Sequence, residues 1–302
     1  MNPTFDKNIN KYIDESKIDL VSQAIAGSKS MDLFQPQLGV KTSAAINLLK
    51  TNIKFNGSVC GWNPTSSDSF TQRTLDTGIC VVNNEYCFDD MIPFWTQHKM
   101  KLSHTPDLGF GEYFIDNALI EVSNAIERAI YWGDKDISNT DENTNKFDGL
   151  IKLAMADGAT IKPTITGLDA YNAIKAVKNA IPQRAFDLGE VKILVSQPLY
   201  RDFLDILVEK NLYHHSNTNG QPNIWFPSTQ IEVVPVNGLN SDTDNYIIAT
   251  SMKNVYYGTD DEANYKEVKY HHSEDRGVDM LKIAFNLGIN YAMSDLFVIA
   301  QL

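Results

Sequence analysis

Between Glu112 and Leu153 the chain carries a long amphipathic run, then a polar tract, then a return to apolar sequence. The run reads EYFIDNALIEVSNAIERAIYWGDKD, the tract ISNTDENTNK and the return FDGLIKLA. Ile115, Leu119, Val122, Ile126 and Ala129 recur at steps of three and four, with Phe114, Ala118, Ala125 and Ile130 beside them. That spacing makes one wide apolar face of a helix. Glu112, Asp116, Glu121, Asn124, Glu127 and Arg128 are expected largely on the opposite side. Gly133 suits a left-handed cap, and the Asn-, Asp- and Thr-rich loop beyond it confirms a stop. About twenty helical residues span roughly 30 Å, the width of a small domain. With no nucleotide loop or ligand cluster attached, such a helix is expected to act as a strut rather than as a wall of a catalytic pocket.

The 302 residues are 43% hydrophobic and 21% charged, enough for a sizeable core in one or two domains and unlike a disordered chain. A net charge of −12 and a pI of about 4.9, with no basic stripe, argue against sequence reading of nucleic acid, though not against a weak local contact with DNA. The N-terminal MNPTFDKNINKYIDESK lacks an apolar signal core, and no apolar run approaches about eighteen residues, so neither secretion nor a membrane span is expected. Cys60, Cys80 and Cys87 form no CxxC pair and are expected as reduced thiols in a cytoplasmic setting.

The order of segments predicts an α+β fold without the regular alternation of a parallel sheet. Met1 to Pro36 reads as an extended arm with one short helix. TSAAINLLKTNIKF is a short strand or helix ending near the turn-forming Asn56-Gly57. Ile53 to Trp62 and Phe70 to Val82 are expected to pair as a long hairpin with a Ser/Thr/Asp-rich tip. Such a hairpin has little core of its own and needs a neighbour to lie on, such as another subunit. Beyond the strut come a helix opening near Thr166 and stopping before Pro182, the buried strand VKILVS, and a helix PLYRDFLDILVEKNLYH with Phe203, Leu204, Leu207 and Val208 inward. IEVVPVNGL and NYIIATSMKNVYYGTD read as two strands, and VDMLKIAFNLGINYAMSDLFVIAQL as short strands tied into the core.

No set of base, nucleophile and orienting group emerges, so no enzyme, no cofactor and no metal site is expected. His98, His104, His214, His215, His271 and His272 lack helix-spaced carboxylate or thiol partners, and loop positions in solvent account for them. There is no GxSxG elbow, no GxxxxGK, and Gly109-Phe110-Gly111 forms the turn before the strut. Asp89-Asp90 and Asp260-Asp261-Glu262 are expected on solvated surface, and Trp62, Trp95, Trp132 and Trp225 as buried or interface anchors.

The ordered set of an arm, a hairpin, a helix ending in IERAIYWGD, a polar loop closing on FDGLIKL, then VKILVSQPLYRDFLDILVEKN, IEVVPVNGL and IIATSMKNVYYGTD resembles the major capsid proteins of tailed bacteriophages, the fold named after phage Hong Kong 97. The likeness covers the chain from about Asn52 onward and rests most on the helix-to-GD-to-DGL passage. More distantly the chain resembles encapsulin shells of that fold.

The resemblance implies an N-terminal arm at 1–36, an extended loop at 53–82, a peripheral domain at 88–163 plus 265–302 carrying a spine helix at 112–132, and an axial domain at 164–264. It implies a structural protein that self-assembles into the hexamers and pentamers of an icosahedral head around double-stranded DNA, in the virion capsid, after assembly in the host cytoplasm. An encapsulin-like shell or a phage tail protein is the alternative. Partners implied are further copies of the chain, a portal, and scaffolding or decoration proteins, with packaged DNA touched only non-specifically on the inner surface and no membrane. Fewer than forty residues precede the apolar body, which implies a separate scaffold or none. Trp62 and Phe70 are the expected assembly contacts, and Ile115, Leu119, Val122 and Ile126 the expected core of the spine helix.

Overall fold

The computed structural model describes residues 27–57, 66–87, 93, 110–136, 138, 140–165, 167, 169–212, 224–227, 229–241, 244–260, 267–273 and 275–302. The strands among them are β1 (Gln35–Leu38), β2 (Ser43–Asn52), β3 (Ser67–Asp76), β4 (Gly78–Tyr86), β5 (Val191–Val195), β6 (Glu232–Pro235), β7 (Tyr246–Ser251), β8 (Val255–Thr259), β9 (Glu267–Ser273), β10 (Val278–Tyr291) and β11 (Val298–Gln301). The helices are α1 (Phe110–Trp132), α2 (Leu150–Ala156), α3 (Ala170–Ala180), α4 (Gln183–Leu188) and α5 (Gln197–Glu209).

Three sheets organise these elements. A five-stranded sheet runs β1-β8-β10-β4, with β9 also paired to β10. A four-stranded sheet runs β11-β7-β5-β6, and β2 and β3 pair as a separate ribbon. The four-stranded sheet is covered on both faces, as the largely buried runs VKILV and YIIATS show. Leu194, Val234, Ile248 and Ile299 join the core around α1, which also takes Leu281, Ile283, Phe285 and Leu287 from the five-stranded sheet. Ile193, Val195, Ile247 and Val298 look the other way, towards Ala173, Ile174 and Val177 of α3 and Phe203 and Leu207 of α5. The helix α1 therefore joins the two sheets into one body.

Ile115, Leu119, Val122 and Ile126 are all no more than 5% exposed on α1. Glu127 differs from its expected face. Glu127 is 4% exposed because Ser28 and Ser30 satisfy its carboxylate, whereas the apolar Ile120 is 58% exposed. In α5, Val208 points to solvent at 62% exposure and Leu199 takes the inward position, one turn before Phe203.

The end of α1 shows why GD and DGL stand where they do. The Gly133 N–H donates to the Ala129 carbonyl at 2.9 Å, and after the polar loop the Gly149 N–H donates to the Gly133 carbonyl at 2.8 Å. The two glycines cross in contact. A Cβ on Gly133 would sit 2.5 Å from the Phe147 carbonyl oxygen, and one on Gly149 would sit 2.5 Å from the Gly133 nitrogen. Lys152 holds the loop closed by pairing with Asp134 and, at 2.8 Å, with Asp148. Gly133→Ala and Gly149→Ala are each expected to destabilise by about 1–3 kcal/mol through overpacking against backbone. Gly158→Ala, where a Cβ meets nothing within 4 Å, is expected to be nearly neutral; urea unfolding compares the three.

Several strand assignments from the sequence need correction. The hairpin is formed by β2 and β3, with Ser43 opposite Asp76 and Asn52 opposite Ser67, and not by Ile53–Trp62 with Phe70–Val82. The apolar GICVV run finds a partner in β10, Cys80 opposite Phe285, so it is drawn into the body as β4. The polar SDSFTQRT run has no such partner and pairs with β2. NYIIATSMKNVYYGTD is two strands, β7 and β8, separated by a 3-10 turn at Met252–Asn254 and placed in different sheets. Val278–Tyr291 is one continuous strand of 14 residues. The sheets also cross the sequence boundaries near 164 and 264: β8 lies in the five-stranded sheet and β11 in the four-stranded one.

Candidate assembly surface

The β2–β3 hairpin has a buried root and an exposed outer half. Leu75 is fully buried and Ile46 is 6% exposed, packed with Ala292. From Ser67 to Gln72, by contrast, all six residues of β3 are exposed. Six residues of strand extend roughly 20 Å from the body. Leu49 and Phe70 sit directly opposite each other in this outer half, 62% and 79% exposed. Strand parity puts them on the opposite face of the ribbon from Ile46, Arg73 and Leu75, so the pair is turned away from its own body. Ile53 and Phe55, at 68% and 99% exposure, continue the apolar surface outward. Trp62 lies outside the described residues.

Beside α1 runs an open groove of about 630 Å³. Its floor includes Val122, Ile126, Phe147, Phe285 and Leu287, and its rim carries Glu121, Arg128 and Lys146. Cys80 sits in the wall, where burial pushes its thiol up to about 11 against the opposing charge of Lys146. Cys87 is exposed, and Cys60 lies outside the described residues.

At the hairpin root, Arg73 reaches into the body. Its Nε donates to Asn290 Oδ1 at 2.9 Å, and its Nη1 donates to Asp157 Oδ2 at 3.0 Å and to Ser294 Oγ at 2.7 Å. Its guanidinium carbon lies 3.9 Å from the centre of the Tyr291 ring, which stacks in turn on Phe297. Ser294 and Tyr291 each donate to the same Asp157 oxygen, at 2.7 and 3.0 Å. Burial alone would raise the Asp157 carboxyl, but the hydrogen bonds from Ser294, the Ala159 N–H, Tyr291 and Arg73 hold it well below the usual carboxylate range. Burial, opposed by the Arg73 charge, pushes the Tyr291 phenol up to about 12. Asn290 Nδ2 adds a second tie, donating to the Thr74 carbonyl at 2.7 Å.

A second polar anchor fastens the chain near residue 28 to α1. Ser28 Oγ donates to Glu127, as do the Ser30 N–H at 3.1 Å and Ser30 Oγ at 2.6 Å. Tyr131 OH lies 2.6 Å from Ser30 Oγ, and its phenol is raised well above its ordinary value, chiefly by burial and then by the Glu127 charge. Three donors on one carboxylate offset the cost of burying it in the core.

The remaining candidates scatter. His272 Nδ1 lies 2.7 Å from the fully buried Asp279, while His271 is exposed; His98, His104, His214 and His215 are outside the described residues. Asp260 is buried rather than solvated, and Asp89, Asp90, Asp261 and Glu262 are outside the described residues. Trp132 makes an edge contact with Tyr246 at 5.5 Å, Trp225 is 49% exposed, and Trp95 is outside the described residues. Among the described residues there is no group of three or more metal-ligating side chains, and no helix long and apolar enough to cross a membrane. Sequence reasoning missed Arg73, Asp157 and Leu49. The alternation Phe70, Gln72, Thr74 against Thr71, Arg73, Leu75 was the available signal for the first.

No protein-family profile matches the sequence, and no curated protein matches it. Solved structures do. A chain of the satellite phage P4 procapsid, solved with its size-determination protein, superposes with a TM-score of 0.59 at 10% identity, covering 100% of this chain and 98% of that one. A chain from Microbacterium phage Oxtober96 gives 0.55 at 15% identity over 91% and 90%. An encapsulin complex from Synechococcus elongatus gives 0.56 at 10% identity over 89% and 85%. The chain therefore has the Hong Kong 97-like fold over nearly its whole length.

Proposed function

We propose that a chain with this fold and this projecting hairpin is the major capsid protein of a tailed phage, building hexamers and pentamers of an icosahedral head around double-stranded DNA. The observation that carries the reading is the outward apolar pair of Leu49 and Phe70 on a hairpin whose outer half has no core beneath it. A monomer gains nothing from exposing such a pair, whereas a neighbour's groove desolvates it, and closed symmetry repeats the gain at every subunit. The groove between α1 and β4 offers an apolar floor with a charged rim, which suits a ribbon with an apolar pair and Ser/Thr/Asp flanks.

In this reading Phe70 and Trp62 anchor the arm on the next subunit. Residues 88–163 with 265–302 form the peripheral part around the spine helix and residues 164–264 the axial part, apart from β8 and β11, which exchange sheets; residues 1–36 form an N-terminal arm, and β2, β3 and the segment between them the extended loop. The chain works as a structural subunit and not as a catalyst, in the virion capsid, having assembled in the host cytoplasm. A portal and scaffolding or decoration proteins are its other partners. Packaged DNA meets only the inner surface, since a net charge of −12 gives no general attraction for phosphate.

The match to an encapsulin complex favours one second reading, a shell of the same fold that encloses something other than a genome. Sedimentation of the purified protein under assembly conditions tests both. Species far above the 33.9 kDa monomer are expected, and a strictly monomeric profile across salt and concentration overturns the shell reading. Nucleic acid co-purifying from infected cells separates a head from an encapsulin-like shell.

A further inference from the structure

We propose that Arg73 is a positioning residue: it latches the root of the hairpin to the body and so fixes the angle at which the arm leaves the subunit. The proposal rests on the reading of the hairpin as an arm between subunits, and adds how that arm is aimed. Arg73 comes from β3, but its partners come from three separate pieces of the body. Asp157 follows the end of α2, Asn290 and Tyr291 close β10, and Ser294 opens the turn beyond it. A ribbon held only by its backbone ladder twists and swings freely about its base. One held by a planar guanidinium, stacked on a ring and gripped on two nitrogens, has its rotation about the strand axis fixed.

Apolar packing at the root does not supply this. Leu75 and Ile46 give burial without direction, and the exposed pairing of Lys135 with Asp76 at 3.6 Å is a long contact in solvent. The Arg73 cluster is instead only about one-fifth exposed, and its carboxylate carries four donors at once. Its geometry serves orientation.

The test places azidophenylalanine-linked spin labels at positions 47 and 205, on the exposed hairpin and on α5, leaving the native cysteines untouched. The labelled subunit is diluted into unlabelled protein, and the intrachain distance distribution is read by pulsed electron resonance. The parent and Lys135→Ala are expected to give one narrow distribution. Arg73→Ala and Arg73→Lys are expected to widen it at least two-fold while the thermal transition of the body stays within a few degrees. The lysine variant is informative because it keeps the charge and loses the planar fork. A folded Arg73→Lys protein with the parent's width overturns the proposal, as does a broad distribution already present in the parent. If neither Arg73 variant folds, Asp157→Asn decides in the same way, a parent-like width again overturning the latch. Because the distance is intrachain, it reads whether or not shells form. A narrow parent distribution with no particles would sink the shell reading and leave the latch standing.

Discussion

A subunit carrying Leu49→Asp and Phe70→Asp is expected to melt where the parent melts and to form no large particles. Both side chains are mostly exposed, at 62% and 79%, on the ribbon face turned away from the body. Surface substitutions of this kind ordinarily change stability by no more than about 0.5 kcal/mol. If the pair fills a neighbour's groove, the same substitutions place two carboxylates in a desolvated contact. Central apolar anchors of interfaces cost about 2 kcal/mol or more when truncated, and a buried unpaired charge costs more still. That penalty recurs at every interface of a closed shell, so assembly should fail outright rather than weaken. Calorimetry and sedimentation velocity on the same preparation check the two halves. Normal particles would show that the hairpin decorates the surface and that the interface lies elsewhere, first of all in residues 164–264.

The second large effect concerns the spine helix. Leu119→Ala and Ile126→Ala each remove a side chain that is at most 5% exposed between two sheets, and each is expected to cost about 2–5 kcal/mol by transfer and cavity terms. Arg128→Ala and Ile120→Ala, both on the exposed side of α1, are expected to fall within about 0.5 kcal/mol of the parent. Urea unfolding at constant m-value measures all four. Comparable losses at Arg128 and Ile126 would mean that α1 does not join the sheets as described.

The helix was legible because its period is long and clean: Ile115, Leu119, Val122 and Ile126 mark one stripe that no strand pattern imitates. The body strands were legible where short apolar-rich runs such as VKILV demanded cover on both faces. What sequence could not supply was partner choice. GICVV and SDSFTQRT are neighbours of similar length, and only the presence of Phe285 and Leu287 across the sheet decides which enters the body and which projects. Glu127 was misplaced for a related reason. A carboxylate on a helix reads as solvated unless the donors that satisfy it are known, and these come from Ser28 and Ser30, about a hundred residues earlier. The Arg73 cluster likewise gathers residues from four stretches of chain with no local spacing to betray them. The helix-to-GD-to-DGL passage is the opposite case, since its constraint is local: two backbone segments cross where only glycine fits.

Negative-stain electron microscopy of the purified full chain, concentrated under low and high salt, tests most directly the claim that this fold and this hairpin make a shell subunit. The account predicts closed, roughly uniform particles with hexameric and pentameric units on their surface, present for the parent chain and absent for the Leu49 and Phe70 double variant. Isolated subunits of the parent chain under every condition, or open sheets and fibres that never close, would contradict it.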